Sequence, residues 1–236
     1  MMKDRIKTVF IDLDDTLWWF TENSKVALRY VYEKFEIDRW CQDYKRFADI
    51  YHEKNDELWE LYHYGKIEKD YLITERYRYV LEQIGYEGDL LAVGAKMNDD
   101  YLDYLSQQPL LIPGAKDLLD YLSDKYDVNV LSNGFKGVQL RKLKSGGIDQ
   151  YINHLILSDE VGVTKPLPGI FEYALKECQA TADSSVMIGD NYDADICGAN
   201  NVGWHTIYFN WRGKQLQDTS AAEMVVSDLE EVKAII

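Results

Sequence analysis

The chain has 236 residues, of which 46% are hydrophobic, and its 26 basic and 41 acidic side chains give a formal net charge of −15 at pH 7. This length and apolar content suit one large globular domain or two smaller ones with ample core. The negative charge argues against nucleic-acid backbones and anionic membranes as partners, while a cation and one lysine still allow a small anionic substrate.

The three cysteines, Cys41, Cys178 and Cys197, are too widely spaced for a disulfide framework or a zinc motif. They are typical of ordinary thiols in a reducing compartment. Residues 1–7 show no signal-peptide pattern, and no apolar run is long enough to span a bilayer. We therefore expect a cytoplasmic protein.

The first predicted element is a buried strand at residues 8–11, which reads Thr-Val-Phe-Ile. Such a run of β-branched and aromatic residues is typical of a parallel strand that is covered on both faces. The strand leads directly into three carboxylates, Asp12, Asp14 and Asp15. Carboxylates so close together repel one another unless a cation or a proton lies between them. The alternative interpretation is a solvated, aspartate-rich turn or a helix cap.

Residues 18–108 have a different sequence pattern, in which apolar and aromatic residues recur at helical spacing. Three breaks rich in glycine or aspartate divide this stretch into about four helices, which predicts a small bundle. The stretch holds 12 of the 18 tyrosines and four of the six tryptophans. We assign most of them to the bundle core. The alternative is that one or two, such as Trp18, Trp19 or Trp59, stack on a flat substrate group.

Strands and helices alternate after residue 109, which predicts a parallel sheet with helices on both faces. The predicted fold is α/β, a doubly wound (Rossmann-like) parallel sheet core with an inserted helical-bundle cap. The core comprises residues 1–17 plus 109–236, and the cap comprises residues 18–108. The further strands are predicted at residues 127–132, 154–158, 185–189, 205–209 and 224–227.

Polar residues follow four of these strands, and ligands of open α/β sheets bind at the carboxyl ends of the strands. Asp12 follows the first strand, Ser132 ends the second, Lys165 precedes a proline after the third, and Asp190 follows the fourth. Ser132 alone would indicate a turn, and a lone lysine a surface charge. Two acidic clusters on neighbouring strands, however, require a hard cation, and oxygen ligands favour Mg²⁺ over zinc.

The segment Asp12-Leu-Asp14-Asp15-Thr16 resembles the first motif of the haloacid dehalogenase-like (HAD) hydrolase superfamily. Ser132, Lys165 and Asp190 follow in the order of the three other motifs, so the resemblance covers the whole core. It implies Mg²⁺-dependent hydrolysis of a phosphate ester. The dehalogenases of the superfamily resemble this chain but lack an aspartate at the position of Asp14, because a halide leaving group needs no proton.

The residue types then suggest roles in phosphoryl transfer. Asp12 is the predicted nucleophile, and Asp14 is the general acid for the leaving alcohol and then the base for water. Lys165 is assigned to catalysis and to phosphate binding. Ser132 and Asn133 are phosphate-binding candidates, through side chains and nearby backbone N–H groups.

The predicted metal ligands are Asp12, Asp14 and Asp190, where the resemblance implies that Asp14 contributes its backbone carbonyl. The resemblance also implies a supporting role for Asp195, which would orient Lys165 or a metal-bound water. Asn191 is a second supporting candidate, at a position where many relatives carry serine or threonine.

Three stretches, residues 55–67, 132–141 and 158–166, are similar to the pyrimidine 5′-nucleotidase branch of the superfamily. The predicted substrate is therefore a small phosphorylated metabolite, with pyrimidine nucleoside 5′-monophosphates as first choice. A sugar-phosphate phosphatase, a phosphosugar mutase and a catalytically idle binding protein on the same fold remain alternatives. We expect a monomer or a homodimer, and neither nucleic acid nor a membrane as partner.

Overall fold

The computed structural model describes residues 2–236, which form two compact units. One unit extends from the amino terminus to Phe20 and continues as Pro109–Ile236, and the other is Thr21–Gln108. The first unit thus extends three residues beyond the predicted boundary at residue 17. Backbone pairing explains the difference, because Trp19 N–H donates to the carbonyl of Leu110 at 3.0 Å. Trp18 is also fully buried.

The second unit contains helical structure, as predicted. Its helices are α1 Phe20–Lys34, of which the first residue belongs to the first unit, α2 Tyr44–His63, α3 Lys69–Gln83 and α4 Leu90–Leu105. Asp43 and Asp89 cap the amino ends of α2 and α4 by accepting backbone N–H bonds. Tyr51, Tyr77 and Tyr101 are fully buried, with ring centroids 5.0 to 6.0 Å apart. These tyrosines therefore belong to the bundle core.

The first unit contains one parallel sheet, and the predicted fold class is confirmed. The sheet has six strands in the order β3-β2-β1-β4-β5-β6, all parallel to their neighbours. The strands are β1 Thr8–Ile11, β2 Asp127–Ser132, β3 His154–Leu157, β4 Ser185–Gly189, β5 His205–Phe209 and β6 Met224–Val226. The first unit also contains the helices α5 Ala115–Ser123, α6 Lys136–Ser145, α7 Ser158–Val161, α8 Pro168–Glu177, α9 Gly198–Asn201 and α10 Val232–Ile235.

The central strand β1 marks the point where the strand order reverses. The chain adds β2 and β3 on one side of β1, and then β4, β5 and β6 on the other. Such a switch point opens a crevice at the carboxyl ends of the strands. Phe10 of β1 packs against Trp204 with ring centroids 4.5 Å apart, so the strand is anchored in a buried apolar core. Within residues 2–236, no helix is long and apolar enough to cross a membrane.

Candidate active site

Lys165 lies at the centre of the candidate site, with only 2% of its surface exposed. Its ammonium group donates to Asp12 Oδ1 at 2.6 Å, to Asp195 Oδ1 at 2.6 Å and to the carbonyl of Leu131 at 2.7 Å. A buried charge is tolerated only with such partners. Here two carboxylates share one cation. We predicted that Asp195 orients either Lys165 or a metal-bound water. The structure shows the contact between Asp195 and Lys165 that the first of these roles requires.

The backbone of Lys165 is held by the side chain of Asn133. Asn133 Oδ1 accepts the N–H of Lys165 at 2.8 Å, and Asn133 Nδ2 donates to the carbonyl of Lys165 at 2.9 Å. An amide side chain offers one acceptor and donors, so it matches a peptide group in this way. We predicted Asn133 as a phosphate ligand. Its side chain positions Lys165, and the predicted phosphate contact of the backbone N–H groups near Asn133 stays a prediction.

Asp12, Asp190 and Asp195 place carboxylate oxygens within 4.8 Å of one another. Burial raises the pKa of the Asp12 carboxyl well above its usual range, Lys165 opposes this rise, and Asp195 and Asp190 add to it. Burial and then Asp195 raise the pKa of Asp190 to about 7, against the effect of Arg212. Burial alone would lower the pKa of the Lys165 ammonium, but Asp12 and Asp195 outweigh it and raise that pKa.

These three carboxylates fit a hard divalent cation. All the donor atoms are oxygens, and they are close enough together to share one ion. The raised pKa values of Asp12 and Asp190 show that their ionised forms are destabilised, which a cation would relieve. The group contains Asp195, which we had not assigned to the metal. It does not contain the carboxylate of Asp14, whose predicted contribution was the backbone carbonyl.

The carboxylate of Asp14 has its own partners. Lys142 Nζ donates to Asp14 Oδ1 at 2.7 Å and to Oδ2 at 2.9 Å, and Gln139 Nε2 donates to Oδ2 at 2.9 Å. Gln139 Nε2 also donates to Ser132 Oγ at 2.8 Å. Asp12 and Asp14 therefore both follow β1, but their carboxylates lie in different environments. Such a difference lets two carboxylates take two chemical roles.

Asn191 begins the turn that carries Asp195. This turn is π-helical and extends over Tyr192–Cys197. Asn191 Oδ1 accepts the N–H of Ala194 at 3.0 Å, and the N–H of Asn191 donates to Asp195 Oδ2 at 3.1 Å. The side chain of Asn191 thus caps this turn, and its backbone N–H, not its side chain, holds the Asp195 carboxylate.

Two further contacts join the end of β1 to the end of β4 and were not predicted. The N–H of Asp190 donates to Thr16 Oγ1 at 3.1 Å. The guanidinium of Arg212, in the segment after β5, forms ion pairs with Asp190 and Asp15. Arg212 is 22 residues from Asp190 in the chain, so no local pattern indicates this contact.

Lys142 was also missed, and Gln139 was noted only within a stretch that resembles the nucleotidases. A signal for both was present, because they are three residues apart on α6. Residues at this spacing share one helix face. Since α6 begins four residues after Ser132, that face could have been assigned to the strand ends.

Residues 6–203 match the family of haloacid dehalogenase-like hydrolases. The chain therefore belongs to this hydrolase family and is an enzyme, which confirms the resemblance carried by the four motifs.

Three individual relatives are informative. The HAD-hydrolase YfnB of Bacillus subtilis is 30% identical over 207 residues, which cover 87% of this chain and 85% of YfnB. A crystal structure of YfnB bound to magnesium has a TM-score of 0.88, with 28% identity and 98% of each chain covered.

The other two relatives are named for their reactions. The pyrimidine 5′-nucleotidase YjjG of Escherichia coli is 28% identical over 229 residues, covering 97% of this chain and 96% of YjjG. The glyceraldehyde 3-phosphate phosphatase of Pyrococcus furiosus is 30% identical over 243 aligned positions, covering 98% and 93%.

Gly189→Ala tests the packing around Asp195. A Cβ atom on Gly189 would lie 2.2 Å from Asp195 Oδ2, closer than such atoms approach. We expect a loss of about 1–3 kcal/mol in stability. Because Asp195 holds Lys165, we also expect an activity loss on the order of 10²-fold. Gly137→Ala on α6 is the matched control, since a Cβ there meets nothing within 4 Å. Thermal unfolding and hydrolase assays that fail to separate the two variants would contradict this packing.

Proposed function

We propose that the protein is a Mg²⁺-dependent phosphomonoesterase that acts through a phosphorylated Asp12 on nucleoside 5′-monophosphates, with pyrimidine nucleotides preferred. The observation that carries this proposal is the separation of two carboxylates at the end of β1. Asp12 is paired with Lys165, and Asp14 is paired with Lys142 and Gln139. One carboxylate is thereby available as a nucleophile and the other as an acid–base group.

In the first step an oxygen of Asp12 attacks phosphorus in line with the leaving oxygen. The bond from phosphorus to the ester oxygen breaks, and a bond from phosphorus to Asp12 forms. Lys165, whose ammonium already contacts Asp12 Oδ1, neutralises charge on the phosphoryl oxygens. Ser132 and the backbone N–H groups that follow it complete the phosphate contacts, because β2 ends beside β1.

Asp14 moves the protons in both steps. As a carboxylic acid it gives a proton to the departing alkoxide, and the resulting carboxylate then takes a proton from water. That water attacks phosphorus, the bond to Asp12 breaks, and inorganic phosphate leaves. A halide would need no such proton, so Asp14 favours phosphate esters over haloacids as substrates.

The residues that would hold Mg²⁺ are Asp12, Asp190 and the backbone carbonyl of Asp14, with Asp195 next to them. When bound, the ion supplies positive charge that reduces the repulsion between the nucleophile and the phosphate. The oxygen-only donor set and the magnesium found in the YfnB crystal structure support this assignment.

The choice of nucleotides is supported by the similarity to YjjG over nearly the whole chain. Sugar phosphates are the second candidate, because the similarity to the glyceraldehyde 3-phosphate phosphatase is equally extensive. A phosphosugar mutase would have to keep Asp12 phosphorylated while its substrate changes orientation in the site. An idle binding protein has no chemical need for Asp12, Asp14, Lys165 and Asp190 in one place.

A panel of phosphate esters tests the proposal. Phosphate release is measured from UMP, dUMP, dTMP, AMP, hexose phosphates and an aryl phosphate, each with Mg²⁺ and with a chelator. We expect release that the chelator abolishes and that is fastest from pyrimidine monophosphates. Faster release from sugar phosphates would support the assignment as a phosphatase and reject the preference for nucleotides. No release from any ester would reject the phosphatase and favour the mutase or the idle protein.

A further inference from the structure

We propose that Lys142 is a positioning residue that holds the Asp14 carboxylate in its working orientation, an inference that rests on the proposed function of Asp14. Lys142 is 3% exposed. Its ammonium lies 2.7 and 2.9 Å from the two oxygens of Asp14. Lysine is almost never so deeply buried unless its charge is paired, and here the partner is the proposed acid–base group.

The aromatic rings next to Lys142 restrict where its ammonium group can lie. Lys142 Nζ is 4.8 Å from the centroid of the Trp18 ring and 5.4 Å from that of Phe20. Both distances suit a cation–π contact. Trp18 is fully buried and cannot turn away. Trp18 thus forms one wall of the position that Lys142 occupies.

Gln139 connects this pair to the phosphate site. Its amide nitrogen donates both to Asp14 Oδ2 at 2.9 Å and to Ser132 Oγ at 2.8 Å. A Cβ on Gly134 would lie 2.2 Å from Gln139 Nε2, so the glycine leaves room for this amide. One contact from Gln139 and two from Lys142 together hold both oxygens of Asp14. These contacts restrain rotation of the Asp14 carboxylate.

Within residues 2–236, the hydrogen bonds of the Lys142 ammonium go to Asp14. Its effect on the proposed reaction therefore passes through Asp14. Two consequences separate this role from a structural one. Removing the Lys142 ammonium should matter only while Asp14 is a functional acid. It should also matter more for alkyl esters, whose leaving group needs a proton, than for aryl esters, whose leaving group does not.

The test compares Lys142→Met, Asp14→Asn and the double variant, using the best alkyl phosphate of the panel and p-nitrophenyl phosphate. We expect Lys142→Met to lower kcat/KM for the alkyl ester by about 10²-fold and for the aryl ester by less than about fivefold. Adding Lys142→Met to Asp14→Asn should change kcat/KM by less than about twofold. Lys142→Arg should restore most of the alkyl activity, since it keeps the charge.

Lys144→Met is the matched control, because Lys144 is exposed on the same helix. Lys142→Gln is measured in parallel and replaces Lys142→Met if the latter does not fold. Losses that multiply in the double variant, or equal losses for both esters, would overturn the positioning role. The positioning role would also be overturned if the Lys142 variants were as active as Lys144→Met. If the unmodified enzyme hydrolyses neither ester, the proposed function has failed instead.

Discussion

Asp12→Asn should abolish phosphate release while leaving the protein folded. An amide cannot attack phosphorus, and loss of a nucleophile costs about 10⁴-fold or more in kcat. The measurement is release of phosphate from the best ester of the panel, with purified variant and unmodified enzyme prepared in parallel. Unaltered activity would mean that Asp12 is not the nucleophile or that the activity is a contaminant.

The same substitution should leave stability unchanged or increase it. The pKa of the Asp12 carboxyl is raised by folding, so the folded protein holds this proton at a higher pH than the unfolded chain does. Stability from this group is therefore present at low pH and is lost as the pH rises through the folded-state value. Asparagine carries no charge at any pH, so it avoids the cost of burying an ionised carboxylate at position 12. Lys165 keeps Asp195 and the carbonyl of Leu131 as partners. A thermal midpoint well below that of the unmodified protein would contradict this balance.

Lys165→Met is expected to remove both activity and much of the stability. The methionine cannot neutralise a phosphoryl group, and losing such a contact costs on the order of 10³-fold in kcat. The substitution also leaves Asp12 and Asp195 buried beside Asp190 without their shared cation. Removing one partner of a buried ion pair costs about 3–5 kcal/mol. The thermal midpoint should therefore fall by roughly 10 °C.

The double variant Lys165→Met, Asp195→Asn separates the two effects. Asp195→Asn removes one of the carboxylates that Lys165→Met leaves unpaired, so part of the lost stability should return. Activity should not return, because the ammonium is still missing. Recovery of activity in the double variant would show that Lys165→Met acts only through stability and that Lys165 does not contact the phosphate.

The strands, and the meeting of the candidate site residues at one edge of the sheet, were predictable because they depend on local pattern. β1 and β4 are continuous runs of buried residues, and β2 is buried after its first residue. Asp12, Ser132 and Asp190 follow or end these strands. Parallel strands bring their carboxyl ends to one edge, so the convergence of these residues follows from the strand assignment alone. Lys165 could be added because a proline fixes the residue that precedes it.

The contacts of these residues with one another were not predictable. Asn133 can bind either a phosphate or a peptide group, and only the three-dimensional structure shows that it binds the backbone of Lys165. The pairing of Arg212 with Asp15 depends on the path of the chain after β5. Long side chains can reach several partners, so sequence order does not decide among them.

The connection between the two compact units has a consequence for how such enzymes diversify. The chain leaves the sheet unit and returns to it through neighbouring backbone segments, where the N–H of Ile112 donates to the carbonyl of Leu17 at 2.9 Å. Trp18 and Leu111 form an antiparallel bridge beside this bond. The entrance and the exit of the insert are thus clamped together by the core itself. An insertion at such a clamp can be lengthened, shortened or exchanged without moving Asp12 or Asp14. The insert can therefore vary in length and sequence while the arrangement of carboxylates at the end of β1 is kept.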